Sequence, residues 1–212
     1  MAISDVADGT DSGRSCCVLI AIKERSRCKA RLSGRLVPAA RLELVRSMLA
    51  AVLAAAGSAR TVRRVVVVSG ERDTVPGDVS VLVDDGEGLN IALTQAHRTL
   101  LGTGCREVLI LPADLPRISA EDVDQMVLAA RGSGLAIAPD AADVGTNALC
   151  LPAGNSFEFQ FGPDSKRLHV QEAARAGLKA RIVRRPGLAF DVDTPADLDL
   201  IREQRWLSRL RA

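Results

Sequence analysis

The chain has 212 residues, 47% of them hydrophobic, with a formal net charge of +2. That length suits one α/β domain with a sizeable core, and the near-balanced charge excludes a global pull towards nucleic acid or a membrane surface. With no Tyr, one Trp and four Phe, the chain also lacks the stacking platforms of RNA and single-strand binders.

Residues 1–14 are polar and begin without a basic segment, so they read as a loose tail rather than a signal peptide, with residues 15–212 forming the domain. Cys17–Ile22 reads as a strand. The five cysteines include no CxxC pair, and Cys17 and Cys150 sit in apolar runs as small core residues, which suggests a reduced, cytoplasmic setting. The first strand runs into a basic loop holding Lys23, Arg25, Arg27, Lys29 and Arg31. Pro38–Ala56 reads as a helix with Pro near its start and Gly57 just past its end; its most apolar part, around Met48 to Gly57, is short, Ala-rich and preceded by Arg41 and Arg46, so it reads as a buried helix and not a membrane span. Val65–Ser69, with four consecutive valines, reads as a central strand, and Val79–Val83 as another. Gly88-Leu89-Asn90 opens the helix Leu89–Leu101, where Asn90 either caps the helix or hydrogen-bonds a base or ribose. Glu107–Leu111 is a strand and Ser119–Arg131 a helix, with Ser119 and Asp122 spaced as a capping box. Leu135–Ala138, Ala148–Leu151 and Ala180–Val183 are strands. Ser165–Ala176 is a helix ending before Gly177, and Pro195–Leu210 is the closing helix. Strands alternating with helices predict a single Rossmann-like α/β domain whose mostly parallel sheet carries helices on both faces and binds ligands beyond the strands' carboxyl ends.

Two acidic sites dominate the chemistry: Pro112-Ala113-Asp114-Leu115-Pro116 and Asp191-Val192-Asp193-Thr194-Pro195-Ala196-Asp197. Each follows an apolar, strand-like run, and two carboxylates from two strand ends suit Mg²⁺ held against a triphosphate. Asp114 is stiffened by its flanking prolines, and its helix already has Ser119 as a cap. Asp193 is the preferred second ligand; Asp191 is held in reserve, and Asp197 reads as a first-turn helix charge. Asp193 or Thr194 would also serve as a plain N-cap. Lys23, Lys29 and Arg31 would neutralise phosphate charge, although charge runs are commonly only solvated loops; there is no P-loop pattern. Ser69, at a strand's carboxyl end, joins Asn90 among the nucleotide-binding candidates. Gly145-Thr146-Asn147 and Phe161-Gly162-Pro163-Asp164-Ser165 form small-residue loops fit for an anion, the second at a helix N-terminus that Asp164 would otherwise cap. His97 and His169, the two histidines, lie near no nucleophile motif and read as structural or surface residues. The missing GxSxG and zinc patterns argue against a hydrolytic triad or metalloprotease. Nucleotidyl transfer fits what remains: a phosphate acceptor is already anionic at pH 7, so catalysis reduces to positioning and charge neutralisation.

These motifs, with Ala21-Ile22-Lys23, Lys29-Ala30-Arg31-Leu32 and Gly88-Leu89-Asn90, resemble the guanylyltransferases of coenzyme F420 biosynthesis, the CofC/FbiD family. The resemblance runs from about Cys17 to Ile201, and Phe-Gly-Pro-Asp-Ser together with Asp-Val-Asp-Thr-Pro is its most specific part. It implies the nucleotide-sugar-transferase fold and transfer of GMP from GTP to the phosphate of a three-carbon acid: 2-phospho-L-lactate, phosphoenolpyruvate or 3-phospho-D-glycerate. It places Thr146, Gly162 and Ser165 at the acceptor, Asp114 and Asp193 at Mg²⁺, and Lys23, Lys29 and Arg31 at the triphosphate. Many relatives carry Thr at Ala30 and Gly at Ala113; neither departure removes a charged ligand. The acceptor, for which Leu89, Ile91 and Leu93 are candidate selectors, stays open, as does oligomeric state, a homodimer being one option. Rival readings are a cytidylyl- or molybdopterin-type transferase, which usually carries a Gly-rich loop absent here, and a non-catalytic nucleotide or RNA binder. A glycosyltransferase DxD motif at Asp191-Val192-Asp193 would sit too near the C-terminus.

Overall fold

The run Cys16-Cys17-Val18-Leu19-Ile20 is apolar at every position because both of its faces are covered. In the computed structural model, which describes residues 13–22, 29–84, 86–100 and 103–201, it forms β1 (Cys16–Ala21). The other strands are β2 (Val62–Ser69), β3 (Ser80–Val83), β4 (Glu107–Pro112), β5 (Gly134–Pro139), β6 (Thr146–Pro152) and β7 (Lys179–Ile182). They form one seven-stranded sheet in the order β3-β2-β1-β4-β6-β5-β7. Helices α1 (Pro38–Ser58), α2 (Leu89–Thr99), α3 (Ala120–Ser133), α4 (Ser165–Arg175) and α5 (Pro186–Ala189) follow the strands, and α6 occupies 195–201.

Strand side chains alternate between two cores. Cys16, Val18 and Ile20 pack with Leu49 and Val52 of α1 and with Val123 and Met126 of α3. Cys17 and Leu19 pack on the other face with Leu93 of α2, Ala173 of α4 and Phe157 and Phe159. The expected sheet, mostly parallel and covered on both faces, is what the chain forms. β6 alone is reversed, antiparallel to both β4 and β5. That reversal places the start of β6 beside the end of β4, which matters for the site.

Local chemistry sets the boundaries. Ser119 caps α3 through a complete capping box with Asp122, worth about 1 kcal/mol. Pro38 stands in the first turn of α1 as expected, but the helix runs on to Ser58 and takes Gly57 into its last turn. Two expectations need correction. Cys17 is not a free thiol: it forms a disulfide with Cys105, because the parallel pairing of β1 with β4 brings the residues before β4 alongside the start of β1. Cys150 is a free, buried cysteine as expected. The second acidic segment does not leave a strand: the apolar run before it folds as the four-residue helix α5, since Pro186 cannot donate to a sheet ladder. Among the described residues, no helix is long and apolar enough to cross a membrane.

Candidate active site

β1 and β4 end side by side, and the main chain beyond them stays paired, with the Ala113 amide donating to the Ala21 carbonyl at 3.2 Å. Leu115, fully buried, anchors the turn from below, so Asp114 is held over the sheet edge. Its carboxylate receives a hydrogen bond of 2.5 Å from the Lys29 ammonium, which also donates to Asp193 at 2.9 Å. Lys29 has a left-handed backbone (φ 54°), a conformation that costs roughly 1–2 kcal/mol in a residue with a Cβ. Two charge-assisted bonds, each worth about 1.5–3 kcal/mol, outweigh that cost. Burial works against the Lys29 charge, but Asp114 and then Asp193 overcome it and hold its pKa above the ordinary lysine value. Arg31, 74% exposed, stands 3.9 Å from the other Asp193 oxygen.

Asp193 is delivered by a segment clamped onto α3. The Arg185 guanidinium donates to Asp122 at 2.6 Å, and the Arg117 guanidinium lies 3.6 Å over the Phe190 ring. Gly187 sits where a Cβ would meet the Arg117 carbonyl at 2.8 Å and overlap the Asp122 carboxylate. From the other side Asn147 donates to the Leu188 carbonyl at 2.9 Å and to Asp191 at 3.2 Å. Beyond it, Asp197 accepts from the amides of Asp193 and Thr194 and from the Thr194 hydroxyl, while the Asp197 amide donates back to that hydroxyl. Thr194 is therefore the cap of α6, and Asp193 is left to face Lys29.

The opposite wall comes from the start of β6 and the start of α4. Both line, with Lys29, Asp114, Asp191 and Asp193, a cavity of about 640 Å³. Gly145 is confined by Asp140, whose carboxylate a Cβ would meet at 2.6 Å. Gly162 has φ 140° with open space where a Cβ would project, so its backbone bares the first turn of α4. Asp164 occupies the N-cap position in a left-handed conformation but makes no side-chain cap bond; it pairs instead with Arg167 at 3.6 Å. The Ser165 amide already donates to the Gly162 carbonyl at 3.2 Å and the Lys166 amide to the Val144 carbonyl at 3.1 Å, so the start of α4 offers the cavity Ser165 and the positive end of the helix, an arrangement that favours an anion. Thr146 lies 3.0 Å from Nδ1 of His169, a fully buried imidazole that burial pushes down to about 4, against a weaker upward pull from Glu172.

The structure thus brings together Lys29, Arg31, Asp114, Thr146, Gly162, Ser165, Asp191 and Asp193 around one cavity. Lys23 lies outside the described residues. Ser69 and Asn90 do not line that cavity. The Ser69 hydroxyl closes a turn with the main chain of Glu71. The Asn90 amide is not a helix cap: it grips both main-chain groups of Phe161, at 2.8 and 3.1 Å, and ties α2 to the loop before α4. Leu89 and Leu93 line the cavity, whereas Ile91 is exposed on the helix's other side. Sequence reasoning missed three contributors. Asn147 stood inside a motif already singled out, and Asp197 completes a Thr-x-x-Asp capping box legible in the chain. His169 carried no signal, because its partner lies 23 residues away.

Two carboxylates already bound to one ammonium form a donor set that suits a hard divalent cation. Asp191 adds to the negative field: burial first, and then the Asp114 and Asp193 charges, raise its pKa, although the bond from Asn147 lowers it. Among the described residues no cluster of three or more such side chains is grouped to hold a metal, so a ligand would have to complete the shell.

Comparisons with known proteins bear on the fold and the family. The structure superimposes on that of a putative nucleotide-diphospho-sugar transferase from Desulfovibrio desulfuricans G20, with a TM-score of 0.71 at 18% identity, covering 89% of this chain and 86% of that one. It also superimposes on CMP:2-keto-3-deoxy-manno-octonic acid synthetase complexed with CTP, with a TM-score of 0.64 at 14% identity, covering 92% and 99%. At such identities the likeness shows the fold alone. The curated phosphoenolpyruvate guanylyltransferase of Sphaerobacter thermophilus is 39% identical over 186 residues, 85% of this chain and 89% of that protein. The family model described as "Guanylyl transferase CofC like" matches residues 16–202. With the carboxylate pair, the lysine between them and the anion cradle opposite all inside that span, the chain belongs to the CofC family of guanylyl transferases.

Proposed function

We propose that this protein transfers GMP from GTP to the phosphate of phosphoenolpyruvate, releasing pyrophosphate, with Asp114 and Asp193 holding Mg²⁺. The observation that carries the reading is the convergence of Lys29, Asp114 and Asp193 on one wall of a cavity whose other wall is formed by Thr146 at the start of β6 and by Gly162 and Ser165 at the start of α4. That arrangement suits two anionic tenants facing each other. The choice of acceptor is supported by the relatives' names; 3-phospho-D-glycerate and 2-phospho-L-lactate are the alternatives, and the product would feed coenzyme F420 synthesis.

Thr146, Gly162 and Ser165 seat the acceptor anion. An acceptor phosphate oxygen forms a bond to the α-phosphorus of GTP while the bond from that phosphorus to the β-phosphate bridging oxygen breaks, and pyrophosphate departs with the electron pair. The acceptor oxygen carries no proton to remove, so no general base is needed; the barrier is lowered by alignment and by neutralising charge. Mg²⁺ would supply charge neutralisation across the triphosphate oxygens. Lys29 and Arg31 stabilise charge moving onto the leaving pyrophosphate. In this structure the Lys29 ammonium is neutralised by the two carboxylates a divalent cation would take. With those carboxylates holding a divalent cation, Lys29 would be free to pair with the phosphates.

Pyrophosphate release from GTP plus phosphoenolpyruvate, with and without EDTA, tests the reading. Asp114→Asn lowers turnover by at least about 100-fold while keeping the fold. Normal turnover in that variant, or full activity in EDTA, removes Asp114 and the metal from the reaction.

A further inference from the structure

The main-chain amide of Gln160 donates to Nε2 of His169 at 3.0 Å. A peptide amide has a proton to give and no lone pair to receive one, so Nε2 is the bare nitrogen of the ring. The ring is fully buried, and burial lowers its pKa to about 4, so it is neutral at pH 7. A neutral imidazole with Nε2 bare carries its proton on Nδ1, and Nδ1 is the atom 3.0 Å from the Thr146 hydroxyl. Thr146 must then accept from His169, which leaves its own hydroxyl proton to be given elsewhere. The cavity lies on that side. The ring cannot readily turn over: Phe161 meets it edge-on at 4.7 Å and Phe157 packs at 5.8 Å. The Phe161 backbone is itself gripped by Asn90.

We propose that His169 is a positioning residue: held in its Nδ1–H form by the Gln160 amide, it makes Thr146 an obligate hydrogen-bond donor towards an anionic acceptor. A threonine hydroxyl is ordinarily ambivalent, able to donate or accept. Fixing its direction favours an oxygen-rich anion and disfavours a ligand that presents a donor there. The inference rests on the reading that Thr146 faces the acceptor, and extends it to the residue behind Thr146.

Two measurements test it. In protein labelled with ¹⁵N-histidine at pH 7, long-range ¹H–¹⁵N spectra should show His169 with a protonated Nδ1 and a bare Nε2, the His97 signals being identified with His97→Gln. A protonated Nε2, or a ring averaging between the two forms, overturns the proposal whatever the activity. The second measurement compares His169→Asn, which keeps a donor nitrogen near the Nδ1 position, with His169→Gln, which keeps polar atoms near Nε2. His169→Gln should raise the acceptor KM by about tenfold or more with the GTP KM unchanged, and His169→Asn should recover most of that loss. Equal effects of the two variants, or an equal rise in the GTP KM, overturn the role while leaving guanylyl transfer in place. If the wild-type protein turns over none of the three acceptors, the reading of the function fails, and the acceptor-facing role of Thr146 fails with it.

Discussion

Lys29 shows how a single side chain is placed by opposing terms. Burial and a left-handed backbone both count against it, and two carboxylates hold it there. Lys29→Met should therefore lower kcat by about 100-fold or more with little loss of stability, because the variant removes the cost of burying the charge along with its two ion pairs; unchanged kcat would exclude Lys29 from the phosphates. His169 carries a second residue-scale consequence. Its folded pKa of about 4 lies below the ordinary 6.5, so the unfolded chain takes up the proton first as pH falls. The stability due to neutral His169 is fully present above pH 6.5, declines between 6.5 and 4, and is gone below 4, a loss of about 3 kcal/mol. His97, lowered by burial and then by Arg98, adds in the same direction. Urea unfolding at pH 7 and pH 4.5 should show that drop in the wild type and a smaller one in His169→Gln; an identical drop in both would mean that other groups govern acid stability.

At the scale of elements, α5 and the cap of α6 determine where Asp193 stands. Gly187→Ala should destabilise the fold by about 1–3 kcal/mol through overpacking against Asp122 and Arg117, and should lower kcat/KM more than a surface control of equal stability does. Retained kcat/KM would mean that the segment is not positioned by that contact. This element was the least legible one. The spacing of valines, leucines and isoleucines gave every strand to within a few residues, and Ser119-x-x-Asp122 gave the start of α3, because those signals are local. Leu188-Ala189-Phe190 reads as apolar and extended until the clamp of Arg185, Arg117 and Asn147, contributed by distant parts of the chain, is known. The same holds for the grip of Asn90 on Phe161, 71 residues away, and for the Cys17–Cys105 disulfide, 88 residues apart. In each case the deciding partner is remote in sequence.

For the molecule as a whole, the alternation of strands and helices predicts the sheet, and the sheet predicts the edge where ligands bind. Reversal of β6 was not legible, since the run Ala148–Leu151 is as apolar as the strands that run the other way beside it. Yet that reversal is what sets Thr146 across the cavity from Asp114 and turns two unrelated motifs into one site. The motifs themselves were legible: Asp114, Asp193, Lys29, Thr146, Gly162 and Ser165 all meet there. The same architecture occurs in a structural neighbour complexed with CTP, so the fold leaves the base open and the family membership favours guanine. The most direct test is mass spectrometry of the product formed from phosphoenolpyruvate with GTP or CTP, with Mg²⁺ present and pyrophosphate measured in parallel. The account predicts a GMP–phosphoenolpyruvate anhydride and one pyrophosphate per product with GTP, and little product with CTP. Preferred use of CTP, or no pyrophosphate from GTP with phosphoenolpyruvate or the other two phospho-acids, would contradict it.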